Sequence, residues 1–90
     1  MLKVVRIDTP ENDTVLLLEG QLVGPWVGAL RASCEEALAS RPSSVRVDLA
    51  GVTFVTPEGV ELLRALPQDR VRLVNASPLV LAQLHLGGST

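Results

Sequence analysis

The chain has 90 residues, 47% of them hydrophobic and 2% aromatic, with a formal net charge of −2. With Trp26 and Phe54 as its only aromatics, it lacks the stacking platforms that single-stranded nucleic acid needs, and its negative balance argues against a broad phosphate-binding surface, though not against a local basic patch. Its single cysteine, Cys34, allows no intramolecular disulfide and no cysteine-based metal site.

The first ten residues, MLKVVRIDTP, lack the apolar core of a signal peptide. Lys3–Asp8 is rich in β-branched residues and predicts a strand, followed by the turn-formers of Thr9–Asp13. Thr14–Glu19 predicts a second strand, and the short turn makes the two antiparallel. Its run Val15-Leu16-Leu17-Leu18 is apolar on both faces, as in a central strand. Gly20–Gly24 reads as a loop. Pro25 suits the first turn of a helix, where its missing N–H costs nothing. From there Trp26, Ala29, Leu30, Ser33, Cys34, Ala37 and Leu38 recur as one small or apolar stripe, and Pro42 ends the helix.

Val45, Val47 and Leu49 alternate with Arg46 and Asp48 in a third strand; Val71 and Leu73 alternate with Arg70 and Arg72 in a fourth. This alternation leaves one face of the sheet solvated, so the helices are expected mainly on the other. Helix two runs from about Pro57 to Leu66. Ser77 caps helix three, Pro78 opens it, and Leu79–Leu86 follows before Gly87-Gly88 stops it. The order is β-β-α-β-α-β-α, with right-handed crossovers making strands two, three and four parallel. No stretch approaches the about 20 apolar residues of a membrane span. The expectation is one domain over residues 1–90, soluble and cytoplasmic; a lone cysteine suits a reducing compartment.

Three segments carry a resemblance. Gly20-Gln21-Leu22 follows strand two, Val47-Asp48-Leu49 leads into Val52-Thr53-Phe54-Val55, and Ser77-Pro78 opens the last helix. In this order and spacing they resemble the Gly-Glu-Leu, D-L-x-x-V-x-F-x-D-S-S-G and Ser-Pro segments of STAS domains, over about residues 3 to 88. The resemblance implies a two-layer α/β fold: a four-stranded mixed sheet with about three helices mainly on one face. It implies a non-enzymatic protein-interaction module similar to anti-sigma factor antagonists, with no cofactor and no metal. The partner would be an anti-sigma factor or serine kinase-like regulator, met by the Thr53–Gly59 corner and helix two. Some small STAS proteins of similar length bind the ATPase of a lipid-transporting ABC system, which gives the alternative partner.

The chain departs from the family at the switch itself. Thr56 stands where Asp is usual, Pro57 replaces the first Ser, and Glu58 replaces the phosphorylated Ser. As a helix start, Thr56-Pro57-Glu58-Gly59 is well made: threonine caps, proline fixes φ, and glutamate faces the positive end of the helix dipole. As a docking corner, Glu58 imitates a phosphoserine with one charge instead of about −1.5 to −2. Thr56, or Thr53, is the alternative phosphoacceptor, although Thr56 is expected to spend its hydroxyl as a cap.

Cys34 reads as a buried, inert thiol, and His85 as a cation suited to a helix C-terminus. Arg46, Arg70 and Arg72 form a small basic patch on one sheet face, solvated by default and an anion site as the alternative. Leu79, Val80, Leu81, Leu84 and Leu86 make helix three apolar nearly all round, which points to a dimer or partner interface there. Trp26 reads as a core residue, or as an interface anchor if exposed.

Overall fold

The computed structural model describes residues 1–88, with side chains described through His85. Seven elements follow in the expected order: β1 (Leu2–Asp8), β2 (Asp13–Leu22), α1 (Pro25–Ala39), β3 (Ser44–Val55), α2 (Pro57–Ala65), β4 (Val71–Val74) and α3 (Pro78–Gly88). The sheet runs β1-β2-β3-β4, with β1 antiparallel to β2 and the other pairs parallel. The turn between β1 and β2 closes on Thr9, whose hydroxyl accepts from the Asp13 N–H at 3.1 Å, while Asn12 takes the left-handed conformation at φ 66°.

The helices lie against one face. α1 packs on β1 and β2, α2 and α3 pack on β3, and α2 touches both other helices. Leu16, Leu18, Val45, Val47 and Leu49 of the inner sheet face are buried against Val27 and Leu30 of α1, Val60 and Leu63 of α2, and Val80 of α3. Burying each such side chain stabilises the fold by about 1.5–3 kcal/mol. A small domain without a disulfide needs this density.

Three expectations are corrected. Gly20–Gly24 is not all loop: β2 continues through Leu22, because Gly20, Gln21 and Leu22 pair with Val52, Phe54 and Val55. Ladder pairing overrides the poor strand propensity of glycine here. Gly20 sits at φ 115°, and a Cβ there would collide with the Met1 carbonyl oxygen, so only glycine fits. β3 likewise extends past the alternating Val45–Leu49 stretch to Val55. It does so through two irregularities: Leu17 pairs with Asp48 but Glu19 with Gly51, and Gly20 with Val52 but Gln21 with Phe54. Each step gives β3 one extra residue, the signature of a bulge.

The stripe of α1 is rotated from the one predicted. Val27, Leu30, Cys34 and Ala37 are buried, Trp26, Ser33 and Leu38 are half-buried, and Ala29 is exposed. Trp26 is therefore neither a full core residue nor a free anchor. Last, α3 includes Gly87 and Gly88 instead of stopping before them. The side chain of Leu86, assigned to the apolar run of that helix, lies outside the described residues.

Candidate functional site

β2 and β3 are parallel and finish side by side at Leu22 and Val55, so α1 and α2 both start from the same end of the sheet. The turn into α2 is pinned there from two sides. The Thr56 N–H and hydroxyl both donate to the Leu22 carbonyl, at 3.1 and 3.3 Å. The same hydroxyl accepts from the Gly59 N–H at 3.4 Å, the expected N-cap contact. Pro57 at the first helical position has no N–H to leave unpaired, and Glu58 adds a carboxylate in the first turn. Both side chains are exposed.

The structure brings Thr56, Pro57 and Glu58 together as a rigid, protruding corner with one fixed negative charge. It separates Gly59 from them. Gly59 is buried, and a Cβ there would lie 2.8 Å from Val55 Cγ1 and 3.0 Å from Leu22 Cδ2. Gly59 therefore lets the first turn of α2 close over Leu22 and Val55, from a buried position beneath the exposed Pro57 and Glu58. Thr53 is exposed, with its hydroxyl donating to the Gly20 carbonyl at 3.3 Å. The second bulge leaves its neighbour Phe54 43% exposed as well, an apolar group beside the corner. Trp26, in the first turn of α1, lies half-buried at the same end of the domain. The Thr56 hydroxyl is engaged as donor and as acceptor, so phosphorylation there would break two contacts.

One residue behind the corner escaped the sequence reading. Gln83 of α3 accepts from the Val55 N–H at 3.1 Å and donates to the Val55 carbonyl at 2.9 Å. β4 pairs with β3 only as far as Asp48 and Val74, so beyond that point β3 has no strand neighbour on this side. The Gln83 amide fills that role for Val55 and holds the residue just before the Thr56 cap. The signal was present: Gln83 is the one polar side chain in the otherwise apolar stretch Leu79–Leu84.

Elsewhere, Cys34 is buried, and burial pushes its thiol up to about 11, with the neighbouring Glu35 charge adding to the shift. It is a packing residue. Among the described residues no three His, Cys, Asp or Glu side chains gather as metal ligands. Val80 is the buried side of α3, Leu84 is half-buried, and Leu79 and Leu81 are 57% and 46% exposed. No helix among the described residues is long and apolar enough to cross a membrane.

A mixed four-stranded sheet backed by three helices, with a capped corner at the end of its third strand, defines a STAS-type domain. The family profile described as "Mlab, STAS domain" matches residues 5–90, and the chain belongs to that family. Solved structures share the fold. An anti-sigma factor antagonist from Mycobacterium paratuberculosis is 20% identical, with 98% of this chain and 79% of that one covered at a TM-score of 0.83. The anti-sigma factor antagonist SpoIIAA in its unphosphorylated form is 19% identical, covering 93% and 83% at 0.72. A STAS-domain antisigma-factor antagonist from Rhodobacter sphaeroides is 20% identical, covering 86% and 92% at 0.66. No curated protein sequence matches the chain.

Proposed function

We propose that this chain is a non-enzymatic protein-docking module acting in the cytoplasm, and that the corner from Thr53 to Glu58, with the start of α2, meets the partner. The observation that carries this reading is the construction of the corner. Pro57 and Glu58 project into solvent from a turn held by Thr56, Leu22, Gly59 and Gln83. A rigid, exposed turn loses little conformational entropy on binding, which favours recognition. Trp26 and Phe54 flank it with partly exposed aromatic surface, the kind that supplies binding energy at interfaces.

The partner in this reading is an anti-sigma factor or serine kinase-like regulator. SpoIIAA has been solved in a phosphorylated as well as an unphosphorylated form. In this chain Glu58 takes the matching position of the family motif and accepts no phosphate. It holds one permanent negative charge, so the corner sits in a single, partly phospho-like state. The family's phosphorylated state releases the kinase, so Glu58→Ser strengthens the interaction.

A second reading has support from the same corner. A nine-residue α2 and a turn with glutamate at position 58 suit a constitutive subunit bound to the ATPase of a lipid-transporting ABC system. Affinity purification of tagged wild-type and Glu58→Ser chains from the native host, followed by mass spectrometry, separates the two. A serine kinase or sigma regulator enriched by Glu58→Ser supports the first reading. An ABC ATPase with its permease, indifferent to Glu58→Ser but lost on Pro57→Arg, supports the second. Partners unaffected by both substitutions would remove the corner from the account.

A further inference from the structure

The face of the sheet turned away from the helices stays open. On it Val5 and Ile7 of β1 are 40% and 44% exposed. They sit opposite Leu17 and Val15 of β2, both half-buried. The four side chains make an aliphatic block over the first two strands. The next two strands change character: Val15 is in register with Arg46, and Arg46 with Arg72. Arg70, assigned to the fourth strand from its alternation, lies instead in the turn before β4 and is not part of this face.

Arg46 and Arg72 are thus like charges set directly beside one another on neighbouring strands, an arrangement that lowers stability. Among the described residues, the guanidiniums of Arg46 and Arg72 have no side-chain hydrogen-bond or ion-pair partner. Of the carboxylates on this side, Glu19 lies beyond the first bulge, opposite Gly51, and the two nearer the arginines are engaged. Asp48 accepts from the Ala50 N–H at 2.9 Å and from Asn75 Nδ2 at 3.0 Å, and Asp13 accepts from the Ser44 hydroxyl at 2.8 Å. Folding alone gives no reason to line up unpaired guanidiniums beside exposed valine and isoleucine.

We propose that this open face docks an acidic amphipathic helix of a protein partner. Its aliphatic stripe lies on Val5, Ile7, Val15 and Leu17, and its flanking carboxylates reach Arg46 and Arg72. The dimensions agree: strands about 4.8 Å apart give a four-stranded face about 14 Å wide, which one helix about 10–12 Å across covers. Guanidinium forks suit carboxylates in two-point contacts. A second copy of the chain fits less well. It brings as many arginines as it meets, while the Asp48 and Asp13 carboxylates are tied up locally. An anionic bilayer fits less well again: a flat membrane meets Asp13, Glu19 and Asp48 together with the arginines, whereas a helix sets its carboxylates only at Arg46 and Arg72. The surface is distinct from the corner, which sits where the helices begin.

The test is an NMR titration of the isotopically labelled chain with a synthetic peptide of about four helical turns, carrying a leucine stripe flanked by glutamates. The control peptide has lysines for the glutamates. The expected result is shifts at Val5, Ile7, Val15 and Leu17, with the corner unmoved and at least tenfold weaker binding of the lysine peptide. Arg72→Glu is the informative variant. It weakens the acidic peptide at least tenfold, yet its thermal midpoint does not fall, because it places an opposite charge beside Arg46. Four results overturn the proposal: no shifts on this face, shifts confined to the helices, equal binding of the lysine peptide, or Arg72→Glu binding as wild type. Shifts of the same residues with phosphatidylserine vesicles instead of the acidic peptide, or on self-association of the chain alone, would reassign the face and overturn it too.

Discussion

Replacing Gln83 by leucine takes away both hydrogen bonds of the Val55 peptide, one of 3.1 Å to its N–H and one of 2.9 Å from the glutamine amide to its carbonyl. Val55 is 2% exposed, and β4 does not extend far enough to take over. Each backbone group left unpaired in a buried setting costs about 1–3 kcal/mol. The glutamine end of the pair is only half-buried, so water reaches part of the gap and the low end of that range applies. The expected loss is about 2–4 kcal/mol, a large fraction of the roughly 5–13 kcal/mol that a domain of this size commands. At about 4–8 °C per kcal/mol, the thermal midpoint falls on the order of 10 °C or more.

Urea unfolding followed by Trp26 fluorescence and by circular dichroism measures the loss, with an unchanged m-value showing that the denatured state is the same. Gln83→Glu separates the two bonds. Its ionised carboxylate accepts from the Val55 N–H but cannot donate to the carbonyl, so it shows a smaller deficit at neutral pH. That deficit shrinks as pH falls through the carboxyl range and a donor returns. Hydrogen exchange at the Val55 amide speeds up in Gln83→Leu. A Gln83→Leu chain within about 0.5 kcal/mol of wild type, or one whose Val55 amide exchanges no faster, would refute the clamp.

Gly59→Ala meets Val55 and Leu22 at 2.8 and 3.0 Å, so it forces a shift in the packed base of the corner and costs about 1–3 kcal/mol, read by the same urea curves. Cys34, raised to about 11 by burial, resists thiol reagents at neutral pH until the domain opens; labelling as fast as a free thiol would contradict its burial. Because the folded thiol is raised above its ordinary value of 9.0, its contribution is fully present below that value and lost as pH rises through about 11, so Cys34→Ala flattens the alkaline limb of a stability–pH curve. The Asp8 carboxyl lies below its usual range, held there first by the Thr14 hydroxyl and then by Arg6. A lowered carboxyl stabilises above its unfolded pKa and loses that contribution as pH falls through the folded value, so Thr14→Val weakens the acid sensitivity of unfolding measured from neutral pH downward.

How far the residues announced this structure differs between elements. Alternation in Val45–Leu49 and in Val71–Leu73 showed which sheet face is open, and proline with threonine or serine marked where α2 and α3 begin. These are local signals, carried by neighbours in sequence. The ends of β2 and β3 were hidden because Gly20-Gln21-Leu22 and Val52–Val55 are strands only through each other. Pairing at a separation of some thirty residues leaves no mark on either segment alone. The rotation of α1 failed for a related reason. Small residues such as Ala29 fit an inner or an outer face, and only the packed neighbours decide. At the site, Thr56, Pro57 and Glu58 were legible as a helix start, whereas the close packing around Gly59 was not, because a glycine's reason is the space around it. Gln83 was visible as an odd polar residue, but nothing in the sequence said that it reads the backbone of Val55.

The Gln83 clamp gives the corner a point of control that does not involve its charge. Thr56 and Val55 are adjacent, one held by the end of β2 and the other by α3. The position of Glu58 therefore depends on α3 remaining docked through Val80, Leu84 and Gln83. A ligand that binds only the docked arrangement stabilises it, and one that prefers α3 displaced loosens the corner; each acts only through its differential affinity for the two states. Leu79 and Leu81, exposed on that helix, are where such a contact would act. The mechanical support behind the corner, the docking of α3, is what such a ligand changes. Leu81→Asp tests the distinction. It is exposed, so it leaves stability within about 0.5 kcal/mol. If a partner engages α3, it changes that partner's affinity without touching Glu58. If docking uses the corner alone, Leu81→Asp is silent while Pro57→Arg is not.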